Sequence, residues 1–477
     1  MALTWRLWVD WDGDGTFEAD EGENLFGMTL HRGRKNVVRS NGKGFEPPQV
    51  GAGTVMLLDE AGRYDPWNTD SPLYPNFTAN KAFKIKVSDG VSTWPVAYGR
   101  IKRIKREAKG GYPQVRMDVE DGWGMLRAAV WKAMRRGIYA GEAMGLVLDE
   151  AGWPAGLRDL SDGVDEKAVW WASGETALAA LHALAEAEYG ELHMRGDGTV
   201  VFRDRHDMMS VAATVTAADI QRGIRIPLPW ETVRTMVEVS AYLIEEVSGT
   251  LREFTTPTPI GGGSTEVFFW DVTGGIYVED VSAVTWTATE NQDGTGADRS
   301  GDVTVAVDVL APTRVKVTAT NSAGGTVWLQ TVTMDGNGVQ LSATTRQAEN
   351  SAGAALYGER ELAIDNRWLQ DMYVAKDIAD HLAWWYGDPA PERAMLELQL
   401  KDNPALQFGI DLGDVVHVEL PEDGVSQDYI LNYVEHHWRD RAGRAVETKW
   451  HLVPKFAFDD LYWFFPTRLG ETSRFGF

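Results

Sequence analysis

The feature that most constrains this chain is a series of short, β-rich runs separated by turn signals. In the first 121 residues such runs lie at 54–58, 83–87 and 115–119, with an Asp-Gly turn at 89–90 and a Gly-Gly turn at 110–111. Alternating β-branched, aromatic and polar residues between glycine turns favour strands over helices. The pattern predicts an all-β barrel or sandwich at the start of the chain.

Length and charge limit the possible functions. The 477 residues suggest about three or four domains. The net charge of −24 has the wrong sign for a protein whose main task is to bind nucleic acid or an anionic membrane. Cysteine is absent, which excludes disulfides, thiolate nucleophiles and Cys-ligated zinc. We also expect no signal peptide, because residues 1–6 lack a basic stretch followed by an apolar core. We expect no membrane partner, because no run approaches the roughly 18 apolar residues that a membrane span needs.

The pattern changes after residue 122. Residues 125–135 and 143–151 have helical spacing, and a clearer helix begins at Ser173 as N-cap and ends at Gly190. Residues 267–341 return to short alternating strands behind a flexible spacer at 261–264 and predict a separate β-sandwich. Residues 369–385 again have helical spacing, and strand patterns resume from 394.

An acidic loop near the start matches the spacing of a twelve-residue calcium loop. Its ligand positions are occupied by oxygen-bearing residues: Asp10, Asp12, Asp14, Thr16 through its carbonyl, Glu18 and Glu21. Gly15 permits the sharp turn that such a loop needs. Because the preceding residues resemble a strand and not a helix, an ion-free acidic hairpin turn is the alternative. Calcium is thus a possible ligand, and no cofactor is required.

The other motifs are explained by structural roles without a binding or catalytic function. The basic clusters at 32–35 and 99–106 could contact phosphate, but we favour the interpretation that they form a solvated strand face or an intersubunit ion pair. The tryptophan pairs at 170–171 and 384–385 could stack on sugars, although core packing is favoured. No nucleophile elbow, zinc-protease helix or phosphate-binding loop occurs, so we expect no enzymatic activity and no catalytic residue.

Several motifs together resemble the hub proteins of long-tailed phage tails and baseplates. The first half carries Gly-Arg-Tyr at 62–64, a Pro-rich loop through 72 and Gly-Arg-Ile at 99–101. The second half carries Tyr-Gly-Glu-Arg at 357–360 and Leu-Gly-Asp-Val-Val at 412–416. The resemblance covers residues 1–244 and 353–455, and the sandwich between them departs from it.

The resemblance implies a mainly β, multidomain fold with an α/β section. The expected parts are a first tube-like β-barrel domain at 1–122, an α/β domain at 123–225, a second tube-like domain at 226–245 plus 353–458, an inserted β-sandwich at 246–352 and an aromatic C-terminal arm at 459–477. It further implies a non-enzymatic homotrimer in the virion. The three copies would form a ring that adapts the hexameric tail tube to the tail tip and lets DNA pass without specific binding.

The expected partners are distal tail and tail-tube proteins together with tail-fibre or tip proteins. The arm would supply an interface through six aromatic residues: Tyr462, Trp463, Phe464, Phe465, Phe475 and Phe477. Folding of the arm back onto its own subunit is the alternative. A negative bore would repel DNA phosphates and keep the genome from sticking. The rival function is a carbohydrate-binding or carbohydrate-active multidomain protein, suggested by the tryptophan content and the sandwich.

Overall fold

The computed structural model describes residues 3–17, 19–59, 61–109, 112–207, 210–227, 232–388, 393–438 and 446–455. The fold is mainly β, as predicted, and its β-strands belong to several sheets. In the described part of the chain, no helix is both long and apolar enough to cross a membrane.

The first β domain is formed by the alternating runs at the start of the chain. Its strands are β1 (Thr4–Val9), β2 (Ala19–Asp20), β3 (Leu25–Gly33), β4 (Ala52–Leu58), β5 (Ala82–Ser88), β6 (Thr93–Lys109) and β7 (Tyr112–Asp121). Alternate residues such as Leu7, Val55 and Ile85 are fully buried in one core. Period-two burial of this kind is what one-sided packing of a sheet requires.

The α/β section follows and packs its helices on two small sheets. It contains β8 (Ala129–Ile138), α1 (Ala140–Glu150), β9 (Arg158–Leu160), β10 (Lys167–Thr176), α2 (Ala177–Ala187), β11 (Glu191–Met194) and β12 (Val200–Arg203). The helix expected at 125–135 is wrong, because β8 pairs with β10 there. The expected N-cap Ser173 lies in β10, and Thr176 caps α2 by accepting from the Ala179 N–H at 3.2 Å.

The strands between residues 211 and 349 belong to three different sheets although they follow one another in sequence. They are β13 (Val211–Thr216), β14 (Ile220–Arg225), β15 (Met236–Phe254), β16 (Thr258–Ile260), β17 (Thr265–Asp271), β18 (Ile276–Thr289), β19 (Val303–Ala311), β20 (Arg314–Asn321) and β21 (Val327–Glu349). The long strands β15 and β21 pair along the whole of β15, from Met236 opposite Glu349 to Phe254 opposite Val332. The C-terminal half of β15 and the N-terminal half of β21 form the sandwich with β16 and β18, opposite a second sheet of β17, β20 and β19.

The remaining elements are α3 (Ser351–Tyr357), β22 (Glu361–Asp365), α4 (Met372–Tyr386), β23 (Leu396–Leu400), α5 (Pro404–Gly409), β24 (Val415–Leu420), β25 (Val425–Trp438) and β26 (Val446–Pro454). Helix α4 forms where helical spacing predicted it. It begins at the N-cap Asp371 and buries Ile378 and Leu382 against the core shared with the α/β section.

Two predicted boundaries differ from the structure. Residues 211–225 were assigned to the α/β domain, but β13 pairs with β24 and β14 pairs with β23, so they belong to the second β domain. Residues 236–245 were assigned to that second domain, yet this half of β15 packs with α4 and β22.

The spacer predicted to be flexible at 261–264 is a hydrogen-bonded turn inside the sandwich, with the Gly263 N–H donating to Ala323 O at 2.9 Å. The sandwich instead continues directly from β15 and β21.

The two β domains share one strand order. The first reads β3-β4-β7-β6-β5-β1 across the sheet, and the second reads β14-β23-β26-β25-β24-β13. With each set of six strands lettered a to f in chain order, leaving out the short β2, both read b-c-f-e-d-a. Orientations agree except at one end, where β1 is antiparallel to β5 but β13 is parallel to β24. The expectation of two related β domains agrees with this topology.

Candidate assembly site

The two β domains meet at a strand joint, here called the internal joint. Strand β25 of the second domain pairs antiparallel with β3 of the first, from Tyr433 opposite Gly33 to Trp438 opposite Met28. Through this pairing the described strands of both domains form one continuous thirteen-stranded sheet. One face of the sheet lies on the cores of the two domains, and the other face is polar except around Val415, Ile430 and Val453, which belong to the core shared with the α/β section.

Aromatic rings fill the core side of the internal joint. Trp5 stacks on Trp438 with ring centroids 5.2 Å apart, and Phe408 of α5 lies edge-on to Trp5 at 5.5 Å. His436 lies 5.0 Å from Phe408, and its Nδ1 is 3.1 Å from the Thr448 hydroxyl. Burial lowers the pKa of His436 to about 3, so the ring is neutral in the joint. Helix α5 of the second domain thereby closes the core of the first.

Buried ion pairs tie the α/β section to the internal joint. Arg34 makes a bidentate contact to Glu191 at 2.7 and 2.9 Å, and Arg32 contacts Asp411 at 2.7 Å and the Met194 carbonyl at 3.1 Å. Both arginines are buried. The expectation that the basic cluster at 32–35 is a solvated strand face or an intersubunit ion pair is wrong for these two residues, because their partners lie inside the same subunit.

The polar face of the continuous sheet carries both signs of charge. Cross-strand partners on this face pair Arg103 with Asp118, Glu435 with Lys449 and His437 with Glu447. Strand register also places here Arg6, Lys84, Lys86, Arg100, Lys105, Glu107, Arg116, Glu120, Arg225, Glu397, His31 and His451. Acidic and basic residues are mixed on this face, with the neighbouring basic residues Arg103 and Lys105 both on β6, so the net charge of −24 is not concentrated here.

The acidic loop folds back on itself and gathers three aspartates. Oxygens of Asp10, Asp12 and Asp14 lie within 4.8 Å of one another. Both Asp10 oxygens accept backbone hydrogen bonds, from Gly13 at 2.7 Å and Gly15 at 3.0 Å. These two glycines have φ values of +85° and +91°, which let the chain turn between β1 and β2. A strand, not a helix, therefore leads into the loop.

Glu21, the predicted twelfth-position ligand, does not reach this cluster. Its carboxylate accepts from Arg63 at 2.7 and 2.9 Å, from the Tyr64 hydroxyl at 2.5 Å and from the Trp11 indole at 3.1 Å. Burial alone would raise the pKa of Glu21, but these hydrogen bonds and the Arg63 charge lower it. The prediction that Glu21 joins Asp10 in one ion site is wrong, because a buried salt bridge holds it in place.

The other predicted site residues have different outcomes. Thr16 lies in the acidic loop, where its backbone N–H donates to the Asp14 carboxylate at 2.7 Å. Glu18 lies outside the described residues. The predicted aromatic interface also lies wholly outside them: Tyr462, Trp463, Phe464, Phe465, Phe475 and Phe477.

The tryptophan pairs are mainly core residues. Trp170 and Trp171 are buried, and Trp171 contacts Tyr277 at 4.5 Å and Trp368 at 5.0 Å between ring centroids. Trp385 is buried too, whereas its neighbour Trp384 is partly exposed. The first pair has no free ring face to stack on a sugar.

Two of the glycines in the motifs are required by close packing, one against backbone and one against a side chain. A Cβ on Gly99 would lie 2.0 Å from the Glu120 carbonyl oxygen of the next strand. Gly413 has φ +84°, and a Cβ there would lie 2.0 Å from the His193 ring. The Gly-Arg-Ile and Leu-Gly-Asp-Val-Val motifs are therefore explained by packing inside and between domains.

Comparison with solved structures identifies proteins of similar fold along nearly the whole chain. A tail protein from Neisseria meningitidis MC58 matches with TM-score 0.51 and 12% identity over 96% of this chain and 98% of that one. The 43 kDa tail protein of prophage MuSo2 from Shewanella oneidensis matches with TM-score 0.50 and 10% identity over the same shares. No protein-family model and no curated protein sequence matches the chain. The protein has the fold of phage tail proteins.

Proposed function

We propose that this protein is the structural hub of a phage tail tip or baseplate and that three copies form a ring around a channel. The observation that carries the proposal is the shared strand order of two β domains joined side by side in one sheet. Each copy would supply two of six similar positions around the ring. Such a ring has threefold symmetry in its sequence and approximate sixfold symmetry in its backbone, which suits an adaptor between a hexameric tube and a trimeric tip.

The polar face of the continuous sheet would line the channel. Its mixed charges give little net attraction for DNA phosphates, since opposite charges such as Glu435 and Lys449 face each other across neighbouring strands. This differs from the negative bore expected from the net charge. DNA would pass without specific binding because acidic residues such as Asp118, Glu120 and Glu435 lie among the basic residues of this face.

The proposed partners are distal tail and tail-tube proteins on one side of the ring and tail-fibre or tip proteins on the other. The aromatic arm at 459–477 would contact one of these or a neighbouring subunit. We assign the protein a virion location at the tail tip and a role that needs neither catalysis nor a cofactor. Truncation after Lys455 should leave each subunit folded and weaken assembly. Loss of folding would assign the arm to the subunit core.

Mass and shape in solution test the proposal directly. Light scattering on the full-length chain should give three times the 52.8 kDa chain mass, and negative-stain images should show a ring with a central opening. A single-chain mass at all concentrations, together with measurable affinity for a saccharide, would instead support the rival carbohydrate-binding function. The saccharide measurement therefore belongs in the same experiment.

A further inference from the structure

Several strand edges in the described part of the chain have no strand partner, and two of them, on β6 and β14, belong to different β domains of the continuous sheet. The pairing of β6 with β5 ends at Arg100, so the outer edge of the second half of β6, from Lys102 onward, is unpaired. Strand β14 pairs with β23 on one side only and forms the end of the continuous sheet. Unpaired backbone edges are ready to pair with another strand.

We propose that these two edges pair with each other between neighbouring copies of this chain. The second half of β6 in one copy would pair antiparallel with β14 of the next, in the register that sets Glu107 opposite Arg225. This joint, here called the subunit joint, rests on the proposed ring and specifies how the ring is closed. Its geometry is that of the internal joint between β25 and β3.

Strands β6 and β25 are equivalent in position and in irregularity. In β6 the register shifts at Lys102, between the pairs formed by Ile101 and Arg103 with β7. In β25 it shifts at Asn432, between the pairs formed by Leu431 and Tyr433 with β26. Each shift directly follows the end of pairing with the preceding strand. Arg103 therefore corresponds to Tyr433, and Glu107 to His437.

Strands β14 and β3 correspond in the same way. Across the first domain, Thr29 faces Thr54, which faces Asp118, which faces Arg103. Across the second, Arg225 faces Glu397, which faces His451, which faces Tyr433. Because Arg103 and Tyr433 correspond, Arg225 corresponds to Thr29. Strand β14 is therefore the counterpart of β3, the strand that receives β25 in the internal joint.

The register of the subunit joint follows from these correspondences. In the internal joint His437 lies opposite Thr29, with Nδ1 and Oγ1 3.0 Å apart. Replacing each residue by its counterpart sets Glu107 opposite Arg225. Both side chains are exposed, and that of Arg225 is 83% accessible with only a marginal 4.0 Å contact to Glu397. Opposite charges facing each other across an antiparallel pair stabilise it.

The loop that covers the joint is also duplicated. In the second domain, the segment between β23 and β24 contains α5 and places Phe408 against His436 of β25. In the first domain, the segment between β4 and β5 brings Asp65 to Arg106 of β6 at 2.5 Å, and Arg106 is the counterpart of His436. This segment exposes Trp67, whose accessibility is 82%. We assign Trp67 the role of Phe408, a ring inserted into the neighbouring copy's domain.

Cysteine crosslinking tests the register. The chain has no cysteine, so the double variant Glu107→Cys with Arg225→Cys introduces the only thiols. Facing residues have Cβ atoms about 4.5–5.5 Å apart, close to disulfide range. Mild oxidation should give two-chain and three-chain bands on a non-reducing gel, with no larger product because the ring closes. Mixing the two single variants should give the two-chain band only.

The matched control is Glu107→Cys with Gln221→Cys. Gln221 is also exposed on β14 but lies four residues from Arg225, roughly 13 Å away along a strand. It should crosslink at least tenfold more slowly. Equal or faster crosslinking at Gln221, or no crosslinking in a preparation whose mass is that of three chains, overturns the subunit joint while leaving the ring intact. A single-chain mass overturns both.

A charge swap gives a second, independent readout. Glu107→Arg and Arg225→Glu should each weaken assembly at low salt, because each sets like charges face to face. The combined swap should restore assembly toward that of the unmodified chain. Two single defects that simply add in the combined variant contradict direct pairing of these two positions.

Discussion

Gly33 meets Asn432 at the internal joint, where a Cβ on Gly33 would lie 2.2 Å from the Asn432 carbonyl oxygen. Gly33 also has φ +88°, a conformation that side chains disfavour. The contact is backbone to backbone, so no side-chain rotation can relieve it. The separation of the two β domains is thus fixed by a residue without a side chain.

Gly33→Ala should therefore destabilise the protein by more than conformational strain alone. The left-handed φ costs roughly 1–2 kcal/mol, and the collision with β25 adds to it. The matched control is Gly90→Ala, because Gly90 has φ +90° but nothing within 4 Å of its Cβ position. Calorimetry should show the larger fall in melting temperature for Gly33→Ala. Equal falls would mean that the sheet separates freely at the joint.

Calcium should bind the acidic loop weakly. Three aspartates face one point, but Glu21 is held elsewhere, so the bidentate ligand of a complete calcium loop is missing. We expect a dissociation constant on the order of 0.1–1 mM, measured by isothermal titration. Asp12→Asn with Asp14→Asn should abolish binding, whereas Asp70→Asn, at another exposed aspartate, should not. A melting temperature indifferent to calcium and chelator counts against an ion at this loop.

Glu21→Gln should destabilise the first β domain by about 3 kcal/mol at neutral pH, because it removes one partner of a buried ion pair. The folded state lowers the pKa of Glu21, so its contribution is present above the unfolded-state pKa near 4.5. It is lost as the pH falls through the lower folded-state pKa. The stability difference between the two proteins should therefore shrink in acid. Glu23→Gln, at an exposed neighbour, should show neither effect.

Trp67→Ala should weaken assembly without changing the stability of the isolated subunit. The ring is 82% accessible, so little of its surface is removed from water within one chain. Sedimentation velocity should show the three-chain species dissociating at about tenfold higher concentration. Val91→Ala is the control. Val91 is 87% exposed in the turn between β5 and β6, at the opposite end of β6 from the subunit joint. An unchanged dissociation concentration for Trp67→Ala would remove its proposed role.

The sandwich should be dispensable for ring formation. A shortened chain can join Val247 to Gly338, which face each other in the β15–β21 pair, through a two-residue Asn-Gly turn. Some stability will be lost, because Arg136 pairs with Glu279 at 2.6 Å and Arg314 lies 5.0 Å from the Trp131 ring. Light scattering should still give three chains. A product that forms only monomers or aggregates would make the sandwich part of the assembly surface.

The sequence predicted features that depend on neighbouring residues. Alternating runs gave the strands of the first β domain, and the spacing of Ile378 and Leu382 gave helix α4. The clustering of Asp10, Asp12 and Asp14 was also predictable, because a short loop with two glycines leaves few ways to arrange these residues. In each case the information lies within about a dozen residues.

The tertiary structure alone decided which strands pair and which charges are buried. Residues 211–225 were assigned from sequence to the α/β domain, and only their pairing with β24 and β23 assigns them to the second β domain. Tyr433 and Gly33 face each other although 400 positions separate them, and their pairing uses backbone groups that every residue possesses. Arg34 was predicted on a solvated strand face or in an intersubunit ion pair, and Glu21 as an ion ligand, but folding gives each a partner inside the subunit. Local sequence fixes backbone conformation and the buried face, whereas strand partners and buried ion pairs are selected by the packing of the whole chain.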